Sequence, residues 1–228
     1  MYSSARCHVE LHRLALNLSG SSKFTALVSC PYLVSYSTVL EALGKKGLIE
    51  TALTVMDRME RNRIQPSMVA YTTIIHAYAP LNDPSKVAKA ATLFGKVRAM
   101  QQPDVICVGS FLQVCRKALP PEQASAVHLA FEAYHSLEKS ERNEVIFLMM
   151  GRIIRSSTAG RSDNTSTAAE QLKAIARDCS EAGCLSNAAF KLLDPLQDKE
   201  SFASRLALDA STQSSWGRRV PRSDRAFQ

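Results

Sequence analysis

The sequence predicts an all-α fold, a right-handed superhelix of about four stacked helical hairpins with flexible ends. Three observations predict it. Apolar residues recur at i, i+3, i+4 and i+7 in one segment after another, the spacing of a helix with one buried face. The segments come in pairs separated by Gly or Pro breaks, and the pairs return with a period of about 35 to 40 residues. A Tyr preceded two places earlier by Val occurs at the same point of the first two periods, and a Pro closes each of them.

The first hairpin carries Tyr36, Val39, Leu40 and Leu43 on its first helix, a break at Gly44 and Gly47, and then Ala52, Val55, Met56 and Met59. Pro66 stops the second helix. Tyr71, Ile74, Ile75 and Tyr78 repeat the first stripe, and Ala90, Leu93, Phe94 and Val97 the second, before Pro103. A third pair is expected from Val108, Phe111, Leu112 and Cys115, followed by Val127, Ala130, Phe131 and Tyr134. The fourth joins Phe147, Met150, Gly151 and Ile154 to Leu172, Ile175, Ala176 and Cys179, with Ser156 to Thr167 read as a flexible loop between them. Neither helix of a hairpin can hide its stripe fully against the other, so each hairpin needs a neighbour. A plain helical bundle is the alternative, since amphipathic helices share this spacing. The expected units are 33–67, 68–104, 105–143 (divergent) and 144–196 (degenerate), between an N-terminal segment 1–32 and a basic, disordered tail 197–228.

Composition narrows the function classes. A formal charge of +7 attracts polyanions at modest salt, whether nucleic acid, acidic protein or anionic lipid. The sequence contains no run approaching the roughly 18 to 20 apolar residues of a membrane span, so a soluble intracellular protein without a membrane role is expected. Six scattered cysteines lack paired Cys-x2-Cys knuckles and read as buried thiols in a reducing compartment, with no metal. His128 and His135 are too far apart along a helix to share an ion. A Gly-rich phosphate loop, a Gly-x-Ser-x-Gly elbow and a His-Glu-x-x-His pair are all lacking. The chain is therefore read as non-enzymatic, with no cofactor and no small-molecule substrate. Residues 1–23 hold Arg6, Arg13 and Lys23 against Glu10 among several serines, a composition shared by transit peptides, a partial hairpin and ordinary tails. Trp216 to Arg219, with Arg222 and Arg225, makes the C-terminal tail basic.

Val34-Ser35-Tyr36-Ser37-Thr38-Val39-Leu40, Leu43 through Glu50, Ala52-Leu53, Met59 and Ile64-Gln65-Pro66 together resemble a pentatricopeptide repeat. Leu33 to Ser67 makes one full unit, and Met68 to Asp104 a second with extra residues around Pro80 to Pro84. The resemblance implies binding of single-stranded RNA, on transcripts of mitochondria or plastids, in processing, stability or translation. It further implies one base per repeat, held by an aliphatic residue just before the Tyr and read by two polar residues. Carried over, the aliphatic contacts are Val34, Val69 and Ile106, and the reading pairs are Ser37 with Ser67 and Thr72 with Asp104. A hydroxyl and a carboxylate can accept from the N–H groups of a guanine edge, so guanine is expected at the second repeat. Lys45 is the candidate phosphate contact, although a Lys there also complements the helix dipole. The third and fourth units offer Gly109 with Asn143, and Leu148, which read bases poorly or not at all.

Base sandwiching contributes about 1 to 3 kcal/mol per base at best. Two good repeats then face an association cost of about 4 to 15 kcal/mol. A weak binder is expected, either working beside other proteins of an RNA-processing complex or being a shortened or incomplete member of the family. The competing expectation is a protein-interaction scaffold in which the same solenoid holds a peptide or helix.

Overall fold

In a computed structural model, the described residues are 33–158, 165–184, 186, 189, 192 and 193. Residues 1–32 and 197–228, with the expectations placed on them, lie outside that set. The described residues form α-helices, short 3-10 turns and no strand. The helices are α1 (Leu33–Lys45), α2 (Ile49–Arg61), α3 (Met68–Tyr78), α4 (Lys86–Met100), α5 (Val105–Arg116), α6 (Gln123–His135), α7 (Glu144–Thr158) and α8 (Thr165–Glu181). The chain divides into two compact units, Met1–Leu129 and Ala130–Gln228.

Within the first unit, α1 pairs with α2 and α3 with α4 as hairpins, and the first helices pack side by side, α1 on α3 and α3 on α5. Each second helix also touches the first helix of the next hairpin, α2 on α3 and α4 on α5. This is the stacking expected of a helical-repeat array. The predicted stripes of α1 to α5 are all buried. Phe94 and Phe111 join α4 to α5 by parallel stacking at 4.7 Å between ring centroids.

Local chemistry ends the helices where the sequence breaks. Gly47 takes φ +69 after α1, so that its own N–H reaches Gly44 O and the Leu48 N–H reaches Leu43 O, both at 3.0 Å. Arg63 performs the same turn after α2 at φ 58 without glycine's freedom. The turn between α3 and α4 is organised by Asp83, which accepts from Ser85 N at 2.8 Å and Ser85 Oγ at 2.7 Å, and pairs with Lys89 at 2.7 Å. The first N–H groups of α4 are capped from a distance: Val87 N and Ala88 N donate to the two carboxylate oxygens of Glu122, each at 3.1 Å.

In the second unit α7 packs on α8. Arg142 lies over the Tyr134 ring at 4.2 Å and pairs with Asp178 at 3.0 Å, while the Tyr134 hydroxyl donates to the same carboxylate at 2.5 Å. Leu193 and Leu192 press against α7 at Gly151, where an added Cβ would lie 2.9 Å from Leu193 Cδ2.

Two expectations need correction. In α6 the buried residues are Ala126, Ala130, Ala133 and Tyr134, and Val127 and Phe131 are only half-buried. The larger residues drew the stripe onto the wrong edge because small alanines bury without standing out by hydrophobicity. The connection read as Ser156 to Thr167 is shorter, since α7 runs through Thr158 and α8 begins at Thr165. Ser156 and Ser157 donate back to Ile153 O and Ile154 O at 2.8 and 2.7 Å, which lets serines remain helical.

Candidate nucleic-acid interface

The candidate surface is built on the N-terminal turns of the first helices. Val69 and Ile106 are the second residues of α3 and α5, and they are 67% and 51% exposed. Their immediate successors turn inward: Ala70, Tyr71, Cys107 and Val108 are all buried. A β-branched residue left in water at the same place in consecutive first helices is not explained by core packing.

Ser67 and Asp104, the second members of the two predicted reading pairs, are the N-caps of α3 and α5. Ser67 Oγ accepts from Ala70 N at 3.3 Å, and Asp104 Oδ1 from Cys107 N at 2.7 Å. Asn143 does the same for α7, accepting from Ile146 N at 3.1 Å. These side chains thus have a structural duty that the sequence reading did not assign. Capping occupies one oxygen of Asp104, and a carboxylate has lone pairs to spare for a second donor.

Thr72, the first member of its pair, is half-buried, and its hydroxyl favours the charged form of the nearby Cys107 thiol. Burial pushes the Cys107 thiol up, against the smaller opposing effect of that hydroxyl. The side chains of Val34 and Ser37 lie outside the described set. Lys45 is exposed at the end of α1 and pairs along its own helix with Glu41 at 2.8 Å, a contact worth little in water.

Lys117 of this surface and Val145 of the second unit went unnoticed in the sequence. Lys117 directly follows the last residue of α5 at the register that Lys45 holds in α1, and it is exposed. Its charge lowers the pKa of the buried Lys86, after the larger effect of burial itself. Lys86 compensates by donating to Leu81 O at 2.8 Å. Val145, 45% exposed, is the second residue of α7 and has the register of Val69 and Ile106. Counting two places back from each stripe's first aromatic or Val would have found it.

A cleft of about 410 Å³ in the first unit is floored by Tyr71, at the fourth position of α3, and walled by Lys96, Ala99 and Met100 of α4. Tyr71 donates there to Glu60 at 3.3 Å, and Glu60 also pairs with Lys96 at 3.4 Å. The second unit has a cleft of about 330 Å³ in the same register, on Phe147 of α7 and Asp178, Glu181 and Ala182 near the end of α8. Among the described residues no three His, Cys, Asp or Glu groups converge to hold a metal ion, and no helix is long and apolar enough to cross a membrane.

Stacked helical hairpins with aliphatic residues and N-caps at matching positions define a helical-repeat protein. Residues 31–79, which span α1, α2 and α3, match the PPR repeat family, so the pentatricopeptide repeat recognised in the sequence is borne out over that part of the chain. No curated protein matches the chain.

Proposed function

We infer that the first unit binds single-stranded RNA along the N-terminal turns of its first helices, one base per hairpin, as a non-catalytic factor acting on organellar transcripts. The observation that carries this reading is the pair of exposed aliphatic residues, Val69 and Ile106, at one register of two first helices packed against each other. Such residues can sandwich a base between them and shield it from water. Thr72 and Asp104 flank that position with a hydroxyl and a carboxylate suited to a guanine edge. Val34, Ser37 and Ser67 would serve the first hairpin in the same way. Lys45 and Lys117 supply positive charge near the opposite ends of their helices, where phosphates would run. Val145 offers an aliphatic contact in α7 of the second unit, and Leu148 beside it cannot select a base.

The deciding measurement is affinity for a short single-stranded RNA as salt is raised. Binding at about 50 mM salt that weakens steeply on addition of salt is expected. Failure to bind at low salt would favour a scaffold that holds a peptide, a reading supported by the two clefts at equivalent register. Mitochondrial or plastid residence is part of the proposal, tested by imaging the tagged full chain.

A further inference from the structure

We propose that Cys179 and Cys184 form a disulfide with each other, a covalent clasp on the C-terminal end of α8. Three main-chain hydrogen bonds close the turn there: Ala182 N donates to Asp178 O at 3.0 Å, Gly183 N to Ser180 O at 2.9 Å and Cys184 N to Cys179 O at 2.9 Å. Gly183 takes φ +67 to allow it. The last of the three bonds joins the two cysteines directly. A helix end closed in this way turns the side chains of those two positions toward each other across the turn. A disulfide spans Cα atoms about 4.4 to 6.8 Å apart, the range at which a main-chain hydrogen bond holds two residues.

The same turn after α1 and after α2 shows what the two positions otherwise hold. Leu48 N donates to Leu43 O at 3.0 Å after α1, and Ile64 N to Met59 O at 2.9 Å after α2. Leu43 with Leu48, and Met59 with Ile64, put large apolar side chains where α8 has two thiols. Cys179 is fully buried, whereas Cys184 is partly exposed. One sulfur is therefore open to a reagent and the second lies behind it. Beyond Cys184 the chain is tied to α7, because the Ser186 hydroxyl donates to Glu144 and Leu193 packs at Gly151. A bond at Cys184 fixes the start of that tie to α8.

The oxidant is a low-molecular-weight disulfide. The Cys184 thiolate attacks one of its sulfurs, the small S–S bond breaks and one small thiolate leaves. The Cys179 thiolate then attacks the Cys184 sulfur of the mixed disulfide, the internal S–S bond forms and the second small thiolate leaves. Two protein thiols give up two electrons and two protons, and the small disulfide becomes two thiols. Burial raises both thiols; the carboxylates of Glu144 and Asp178 add to this at Cys179, and that of Glu144 at Cys184. The exchange therefore quickens as pH rises. Thiols that ionise with difficulty also leave poorly, so the bond once made is slow to reduce.

The test incubates the folded full chain with oxidised glutathione at about pH 8, near the ordinary range of a thiol. The products are quenched with iodoacetamide and mapped by tryptic digestion and mass spectrometry. Residues 178–191 make one tryptic peptide that holds both cysteines and no other. That peptide is expected two hydrogens lighter and without alkylation, and the thermal midpoint of the second unit is expected to rise by about 5 °C or more. Cys184→Ser, at a partly exposed position, should fold and show neither change. A glutathione adduct that stays on Cys184 beside an unreacted Cys179 overturns the proposal, as does a bond that forms only in urea. A bond that forms in the folded chain without moving the midpoint overturns the clasp.

Discussion

Val69 and Ile106 hold the same position in two first helices that pack side by side, and each leaves half or more of its surface in water while the two residues that follow it are buried. Apolar groups so exposed add little to stability. Replacing both with Asp is therefore expected to leave the melting temperature within a few degrees of wild type and to weaken RNA binding by about fivefold or more, the lower end of what one base contact contributes. Thermal melts and fluorescence anisotropy with a labelled oligonucleotide check this. A large fall in melting temperature with binding retained would make them packing residues.

Asp104 joins two roles that substitution can separate. Asp104→Ala removes the cap of α5 and is expected to cost about 0.5 to 2 kcal/mol in denaturant unfolding. Asp104→Asn keeps a capping oxygen, so stability should change by only a few tenths of that range while base preference shifts. If both variants lose stability equally, the cap depends on the charge rather than on the geometry.

Two glycines within helices predict opposite signs. A Cβ on Gly44 of α1 would sit 3.2 Å from Thr73 Cγ2 and 3.6 Å from Ala77 Cβ of α3, and larger side chains have no room. Gly44→Val is expected to destabilise by about 1 to 3 kcal/mol. A Cβ on Gly95 of α4 meets nothing within 4 Å. Gly95→Ala should stabilise by about 0.5 to 1 kcal/mol through its helix propensity. Chemical unfolding of the two variants decides both signs together.

The turn at Asp83 responds to acid. The Lys89 ammonium, then Ser85 through its main-chain N–H and its hydroxyl, hold this carboxyl at about 2, below its ordinary 3.8. A lowered folded-state value means that the contribution is present above the ordinary carboxylate range and is lost as pH falls through about 2. A carboxyl titration by NMR should place the midpoint near 2 in wild type and nearer 3.8 in Lys89→Met. An unchanged midpoint in that variant would leave the serine contacts as the whole cause.

The helices and most of their buried faces were legible in the sequence because the information is local. Tyr36 to Leu43 and Tyr71 to Tyr78 announce a buried stripe by spacing alone, and Gly47 announces a turn that needs positive φ. The resemblance to a pentatricopeptide repeat located Val69 and Ile106, although their exposure became visible only once α3 and α5 had packed. Local spacing misled in α6, where alanines and not Val127 and Phe131 form the buried face.

Contacts between hairpins followed a different logic. Nothing near Glu122 in the chain marks it as the cap of α4, and nothing near Gly44 marks α3 as its neighbour. Such pairings depend on how far one helix slides and turns against the next, a matter settled by side-chain packing across the interface. Repetition along the chain dictated a pile of hairpins. The approach of one hairpin to another dictated which side chains meet across the interfaces and which stay exposed on the surface proposed to read RNA.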